Sequence, residues 1–220
     1  MYLSRVALDS NQRETMQLLS SPYLMHGAVE RSFSGVRERR LWRVDWLKDT
    51  CYLLILSDQK PHLANIVQKY GFPKSSPPFE IKEYQPFLER LKEGQSWRFR
   101  LCANPVRSSS VVKESGSHRG KVFAHVTTEQ QKQWLISRAS KHGFELQADA
   151  FDVVQSEWKR FKKGANSQRD ISMRVVVFEG ILTISDVELF RNALVSGIGR
   201  EKAYGCGMLS IARLGGSPNG

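Results

Sequence analysis

The strongest constraint on how this chain can fold is an order of elements that occurs twice. "YLSRVAL" (2–8) alternates as a strand, and "NQRETMQLL" and "PYLMHGAVERSF" follow with helical spacing. "RRLWRVDWL" and "CYLLILS" read as two strands joined by "KDT", then "HLANIVQKYG" as a short helix and "FEIKEY" as a strand. After a break at "LKEGQS" the pattern returns. "WRFRLCANPV" is a strand and "TTEQQKQWLISRASKHG" a helix, with Thr127 and Gln130 as a capping-box pair. "FELQADAFDVVQSEWKRF" and "ISMRVVVFEGILTIS" are two strands. "DVELFRNALVSG" is a helix with Ser185 and Glu188 as its capping pair, and "CGMLSIARL" closes as a strand. Both halves read β-α-β-β-α-β, so the expected fold is α+β: two tandem ferredoxin-like (RRM-like) domains, 1–93 and 94–220. A fold of this kind hosts many functions and names none.

Charge narrows the field. The chain carries a formal net charge of +11, unevenly placed: residues 1–93 hold 14 Lys and Arg against 11 Asp and Glu, residues 94–220 hold 19 against 11. The excess favours a polyanion, and nucleic acid over membrane, because the densest basic segment is not an amphipathic helix. No apolar run is long enough for a membrane span, "MYLSRVALDS" lacks the pattern of a signal peptide, and Cys51, Cys102 and Cys206 are widely spaced. The expected setting is a reducing cytoplasm, with no disulfide framework and no cysteine metal site.

One short stretch carries chemistry. In "SSPYLMHGAVERSF", Pro22 suits the first position of a helix and Ser21 its N-cap. Tyr23 and His26, three apart, then share a face near the free N–H groups of the helix start, which favour a phosphate. Arg31 lies five residues beyond His26, only roughly on that face, but able to reach back to an anion. These residue types fit RNA cleavage without metal: a 2′-hydroxyl loses a proton as it attacks phosphorus, and the leaving 5′-oxygen gains one. The helix start and a bound phosphate pull the protonation of His26 in opposite directions, so base and acid both stay open. Tyr23 could orient the hydroxyl, and Arg31 could stabilise the phosphorane charge. His62, His118, His125 and His142 lack comparable partners, and no metal or nucleotide-cofactor motif is present, so no cofactor is expected.

The candidate RNA surface is basic. "EWKRFKKGANSQRDISMR" (157–174) has six basic and two acidic residues around a turn-like centre, which gathers Lys159, Arg160, Lys162, Lys163 and Arg169 near a hairpin tip. Such a ribbon would make mostly phosphate and shape contacts to A-form RNA. "WRFR" puts Arg98 and Arg100 on one strand face, with Trp97, Phe99 and Leu101 on the other. "RERRLWR" adds Arg37, Arg39, Arg40 and Arg43. Near the end, Gly197, Gly199, Gly205 and Gly207 surround Arg200 and Lys202, where glycine permits positive φ or close approach to a phosphate. "RGKVFAHV" matches an RRM central motif only loosely and lacks the aromatic after its glycine.

"MYLS", "YLMH", "RFRLCANP", "VVFEGILTI" and above all "GIGREKAYGCGMLSIARL" together resemble the CRISPR-RNA-processing endoribonucleases of the type I-E Cascade complex, the CasE or Cse3 family. The resemblance runs almost end to end. It implies two ferredoxin-like domains and metal-independent cutting of the precursor repeat hairpin at the 3′ base of its stem. The implied products carry a 5′-hydroxyl and a 2′,3′-cyclic, later 3′, phosphate, and the enzyme keeps the hairpin and joins other Cascade subunits. It implies His26 as the catalytic histidine, Tyr23 as its helper and Arg31 as an assisting basic residue. The basic hairpin would engage the stem, and the glycine-rich loop would lie close to the RNA and the domain interface. Two departures stand out: Cys102 where the family often has arginine, and Arg200-Glu201 where proline-alanine is common. The alternatives are a non-catalytic subunit that binds an RNA hairpin and a purely structural subunit of a larger assembly.

Overall fold

The computed structural model describes residues 1–35, 38–108, 121–164 and 170–215. In the first half, β1 (Tyr2–Leu8) leads to α1 (Arg13–Ser20) and α2 (Pro22–Glu30), then to β2 (Leu41–Leu47) and β3 (Thr50–Ser57). Next come α3 (Ala64–Tyr70), β4 (Phe79–Glu83) and a five-residue α4 (Gln85–Glu89) that has no sequence counterpart in the reading above. The antiparallel order is β2-β3-β1-β4, that of a ferredoxin-like sheet. Strand alternation turns Val6, Leu8, Trp42, Leu53 and Ile55 to one face. There they meet Leu18, Met25, Val29 and Ile66 from the three helices.

The second half contains β5 (Ser96–Ala103), a short ribbon of β6 (Val106–Ser108) and β7 (Val122–Ala124), α5 (Thr128–Ala139), β8 (Phe144–Glu145), β9 (Phe151–Lys162), β10 (Asp170–Ile184), α6 (Val187–Ser196) and β11 (Leu209–Ala212). The order is β11-β5-β10, with β8 and β9 pairing successively along the remaining edge of β10. This is the same topology as the first sheet, with the second strand split in two. Thr127 caps α5, accepting from Gln130 N at 3.3 Å. The cap of α6 is one residue later than expected: Asp186, not Ser185, accepts from Leu189 N at 2.9 Å, and Glu188 pairs with Arg191 instead. Both residue types can cap, and the charged acceptor at the helix start prevails.

The two faces of the second sheet have different partners. Phe99, Leu101, Val176 and Phe178 pack on Trp134 and Leu135 of α5 and Phe190 and Leu194 of α6. Leu41 and Leu56 of the first sheet join this same core, which therefore crosses between the halves. The other face carries Cys102, Met173, Val175 and Val177, with Phe161 and Cys206 completing a smaller cluster against which Tyr23 and Tyr204 pack. Register accounts for the division. Val177 pairs with Cys102 and Gln155, whereas Phe178 pairs with Leu101 and Val153, so an extra residue at Val154 bulges β9. Beyond that bulge Gln155, Glu157, Lys159 and Phe161 look toward the first half.

Arg43 joins the halves. Its guanidinium holds Asp45 through three contacts of 2.7–3.0 Å and donates to Arg100 O, Met208 O and Ser210 Oγ at 2.7–3.0 Å. Asp45 also accepts from Arg100 Nε at 3.0 Å, and Arg100 reaches Glu179 as well. All donors on this buried arginine find acceptors, which is what allows a charge to sit there.

Candidate active site

The start of α2 is built as its sequence dictates. Ser21 has extended backbone and its hydroxyl accepts from Leu24 N at 3.4 Å, with Pro22 at the first helical position. Pro22, Met25, Ala28 and Val29 are buried, which fixes the helix on the first core and turns Tyr23 and His26 toward the second half. What meets them is the short 3-10 turn Lys202–Tyr204 and the far end of β9. The Tyr204 ring lies edge-on to the His26 imidazole at 6.4 Å between centroids, and edge-on to Phe161 at 4.9 Å. Burial, then Glu201 and Tyr23, push the Tyr204 phenol above its ordinary pKa. The Tyr23 hydroxyl lies against Gly164, where an added Cβ would be 3.4 Å from it.

Behind His26, one helical turn on, stands Glu30. Its carboxylate is 4.0 Å from His26 Nδ1 and accepts from Arg40 Nη1 at 2.8 Å. Arg40 is itself buried and stacked over Phe33 at 4.2 Å. The acid is thus held in place by a fixed cation, on the side of the imidazole away from the N-terminus of α2. Sequence reasoning missed Glu30, Phe161 and Tyr204. The i, i+4 spacing of His26 and Glu30 was a usable signal, and Tyr204 is the one aromatic in the glycine-rich stretch.

Arg31 is not beside His26. It is exposed at the C-cap of α2, with its Nη1 close enough to Gly27 that a Cβ there would lie 3.2 Å away. It lines a cleft with Leu24, Glu14 and Lys69 on the side of α1 and α3. Five residues turn a helix by about 500°, which leaves Arg31 about 140° from His26.

The other basic candidates divide sharply. On β9, Lys159 shares the face of Phe161 and pairs with Glu157 at 3.4 Å, while Arg160 and Lys162 point to the opposite, exposed face and Lys163 is exposed next to Gly164. Arg169, Arg37 and His118 lie outside the described residues. Arg98 is exposed, as its strand parity requires, but Arg100 is occupied by Asp45 and Glu179. Arg40 and Arg43 are interior residues. Lys202 donates to Ser196 O at 2.6 Å, closing the end of α6, and burial and then Arg39 lower its pKa.

The glycine-rich loop does take positive φ at Gly197, Gly199, Gly205 and Gly207, yet the close approach it makes is to protein. A Cβ at Gly205 would meet the Trp42 ring at 2.7 Å and one at Gly197 would meet Leu41 at 3.0 Å, while Trp42 Nε1 donates to Ala203 O at 3.2 Å. The loop is therefore seated on β2, and that seating brings Tyr204 to His26. Arg200 projects outward from it. Beneath the loop, Cys102 and Cys206 are buried free thiols in mutual hydrogen-bond contact, which draws the Cys102 pKa down and, with burial, pushes Cys206 up.

Residues 1–213 match a family model described as CRISPR associated protein. The chain is 31% identical, over 96% of its own length and 100% of the relative's, to the CRISPR-associated endoribonuclease Cse3 of Thermus thermophilus. It is 27% identical, over 57% of its length and 62% of the relative's, to the CRISPR system Cascade subunit CasE of Escherichia coli. Thermus thermophilus Cse3 bound to an RNA representing a pre-cleavage complex superposes with a TM-score of 0.74 at 27% identity, covering 96% of this chain and 98% of that one.

Proposed function

The chain belongs to the CRISPR-associated protein family that includes Cse3 and CasE, and from that premise we propose that it is an endoribonuclease that cuts the repeat hairpin of precursor CRISPR RNA. It remains on the product as a subunit of a Cascade complex, in the cytoplasm. The observation that carries this reading is the pairing of Tyr23 and His26 on the first turns of α2 with Tyr204, Phe161 and the basic end of β9. We place the division into two units between residues 93 and 94; the four-stranded sheet lies before it, and the larger sheet and the β6-β7 ribbon lie after it.

The residues fit an internal transesterification. The 2′-hydroxyl before the cut attacks the adjacent phosphorus and gives up its proton, while the P–O5′ bond breaks and the 5′-oxygen takes a proton. A 2′,3′-cyclic phosphate and a 5′-hydroxyl result. His26 moves one of these protons, and Glu30 stabilises its imidazolium form across 4.0 Å. Tyr23 orients the reacting hydroxyl or phosphate oxygen. Tyr204 holds the imidazole edge and limits its rotation. Arg31 reaches the phosphorane only by swinging off Gly27. Lys163, next to the glycine that touches Tyr23, is better placed to offset the added charge. Outward-facing Arg98, Arg160, Lys162 and Arg200 bind phosphates of the RNA.

The test is cleavage of a labelled cognate hairpin in excess EDTA with both new ends mapped. His26→Ala should slow cutting by about 10²–10⁴-fold while leaving hairpin affinity intact. Equal cutting by both proteins would remove His26 from the mechanism. Binding without any cutting by the wild type would favour a non-catalytic hairpin-binding subunit.

A further inference from the structure

A second basic site lies on the outer side of the second half. A cleft of about 560 Å3 opens between α5, the ribbon of β6 and β7, and the glycine-rich loop. Its walls carry Arg107, Arg138, Arg200 and His125 against one carboxylate, Glu129. None of Tyr23, His26, Phe161 or Tyr204 lines it. The volume is that of a small-molecule or nucleotide site.

The cations are arranged rather than scattered. Arg138 is stacked over Trp134 at 4.3 Å and anchored by donation to Trp134 O at 3.1 Å. Arg107 projects from β6 across Phe123 of β7 at 5.8 Å, and that ring is 45% exposed. The backbone at His125 is tied to α5, where Gln131 Nε2 donates to His125 O at 3.0 Å, and to the residue before β6, where His125 N donates to Pro105 O at 2.9 Å. Burial, then Arg107 and Arg138, hold the His125 imidazole below its ordinary pKa. Asn104 also lines the cleft, and its buried Oδ1 accepts no hydrogen bond.

Cations around a cleft, with the exposed Phe123 paired across the ribbon to the cleft-lining Arg107, are what a single-stranded nucleic acid requires: phosphate neutralised and a base stacked. We propose that this cleft holds one unpaired nucleotide of the substrate RNA, its phosphate between Arg107, Arg138 and Arg200 and its base against Phe123. The proposal rests on the endoribonuclease reading and adds a contact outside the hairpin. It predicts that the enzyme measures its substrate at two places, the cut site and a single-stranded flank.

The experiment uses three non-cleavable RNAs with a 2′-deoxy group at the cut position: the bare hairpin, and the hairpin with an unpaired extension on its 5′ or its 3′ side. Affinities are compared for wild type, Arg107→Ala, Arg107→Lys and Gln133→Glu. Gln133 is exposed on the cleft wall, so the last change adds a repelling charge without removing any packing. One extension should tighten wild-type binding by about tenfold, as one charge-assisted phosphate contact would. Arg107→Ala and Gln133→Glu should abolish that gain while binding the bare hairpin like wild type, and Arg107→Lys should keep part of it. His125 imidazole NMR signals should move with the extended RNA and stay still with the bare one.

No gain from either extension in the wild type, or an undiminished gain in both variants, overturns the proposal while leaving hairpin cutting unaffected. Loss of bare-hairpin binding in Gln133→Glu would also overturn it, because the cleft would then not be a separate site. Unchanged RNA affinities with lost association to other Cascade subunits would assign the cleft to an acidic protein face. Failure of the wild type to bind or cut any hairpin would count against the parent reading.

Discussion

Arg43 and Arg160 are both arginines on strands of a strongly basic chain, yet they belong to different populations. Arg43, with Arg40, Arg100 and Lys202, is held by carboxylates and carbonyls inside the protein. Arg160, with Arg98, Lys162, Lys163 and Arg200, faces outward. The first group joins the two sheets and positions the loop and helix of the active site. The second carries the field that an RNA would meet. A net charge of +11 counts both equally, although only the second can release counterions from a phosphate backbone.

The sharpest way to break this distinction is Arg43→Ala. It leaves Asp45 without its main partner and takes one donor from each of three second-half acceptors, so it should cost about 3–5 kcal/mol of stability, read by urea or thermal unfolding. A loss below about 1 kcal/mol would place Arg43 with the surface cations. Tyr204 stands between the two groups, and Tyr204→Leu should slow single-turnover cutting by about tenfold with hairpin affinity unchanged, whereas Tyr204→Phe should be close to wild type. If Tyr204→Phe were as slow as Tyr204→Leu, its hydroxyl and not its ring would be at work. Salt titration separates the populations directly: Arg160→Ala or Lys162→Ala should each make the log-affinity slope shallower by roughly 0.7 to 0.9, and Lys202→Met by nothing.

The smallest effect is expected from a pair in neither population. The hydrogen bond from Arg5, at 2.7 Å, holds the Glu80 carboxyl below its usual range. Its contribution is therefore present above the unfolded carboxylate pKa and is lost as pH falls through the lowered one. Glu80→Gln should cost about 0.5 kcal/mol or less at pH 7 after solvent screening and nothing at pH 2.

Much of this was legible in the sequence where the determinants are local. Period-two alternation, the Ser21-Pro22 start of α2 and the shared face of Tyr23 and His26 depend on neighbours a few residues apart, and both sheets follow from the repeated order. The one-residue displacement of the α6 cap, from Ser185 to Asp186, shows the limit even there. What was hidden depends on distant partners. Arg100 reads as an outward cation until Asp45 and Glu179, 55 and 79 residues away, close on it. Cys102 and Cys206 look isolated until the loop folds back over β5. Gly205 and Gly197 read as a phosphate cradle, but the groups that need the space are Trp42 and Leu41. Arg31 is the instructive exception, since helical geometry alone already turned it away from His26.

The guanidinium of Arg43, bonded to Arg100 O, Met208 O and Ser210 Oγ, also decides which partner must bend. With the halves joined at that point, a change in the angle between α2 and the β9–β10 hairpin has to break these bonds of a buried charge, which costs binding energy. Deformation then falls to the nucleic acid: the hairpin that is cut is the one whose stem base can be brought to the distance already fixed between His26 and the end of β9.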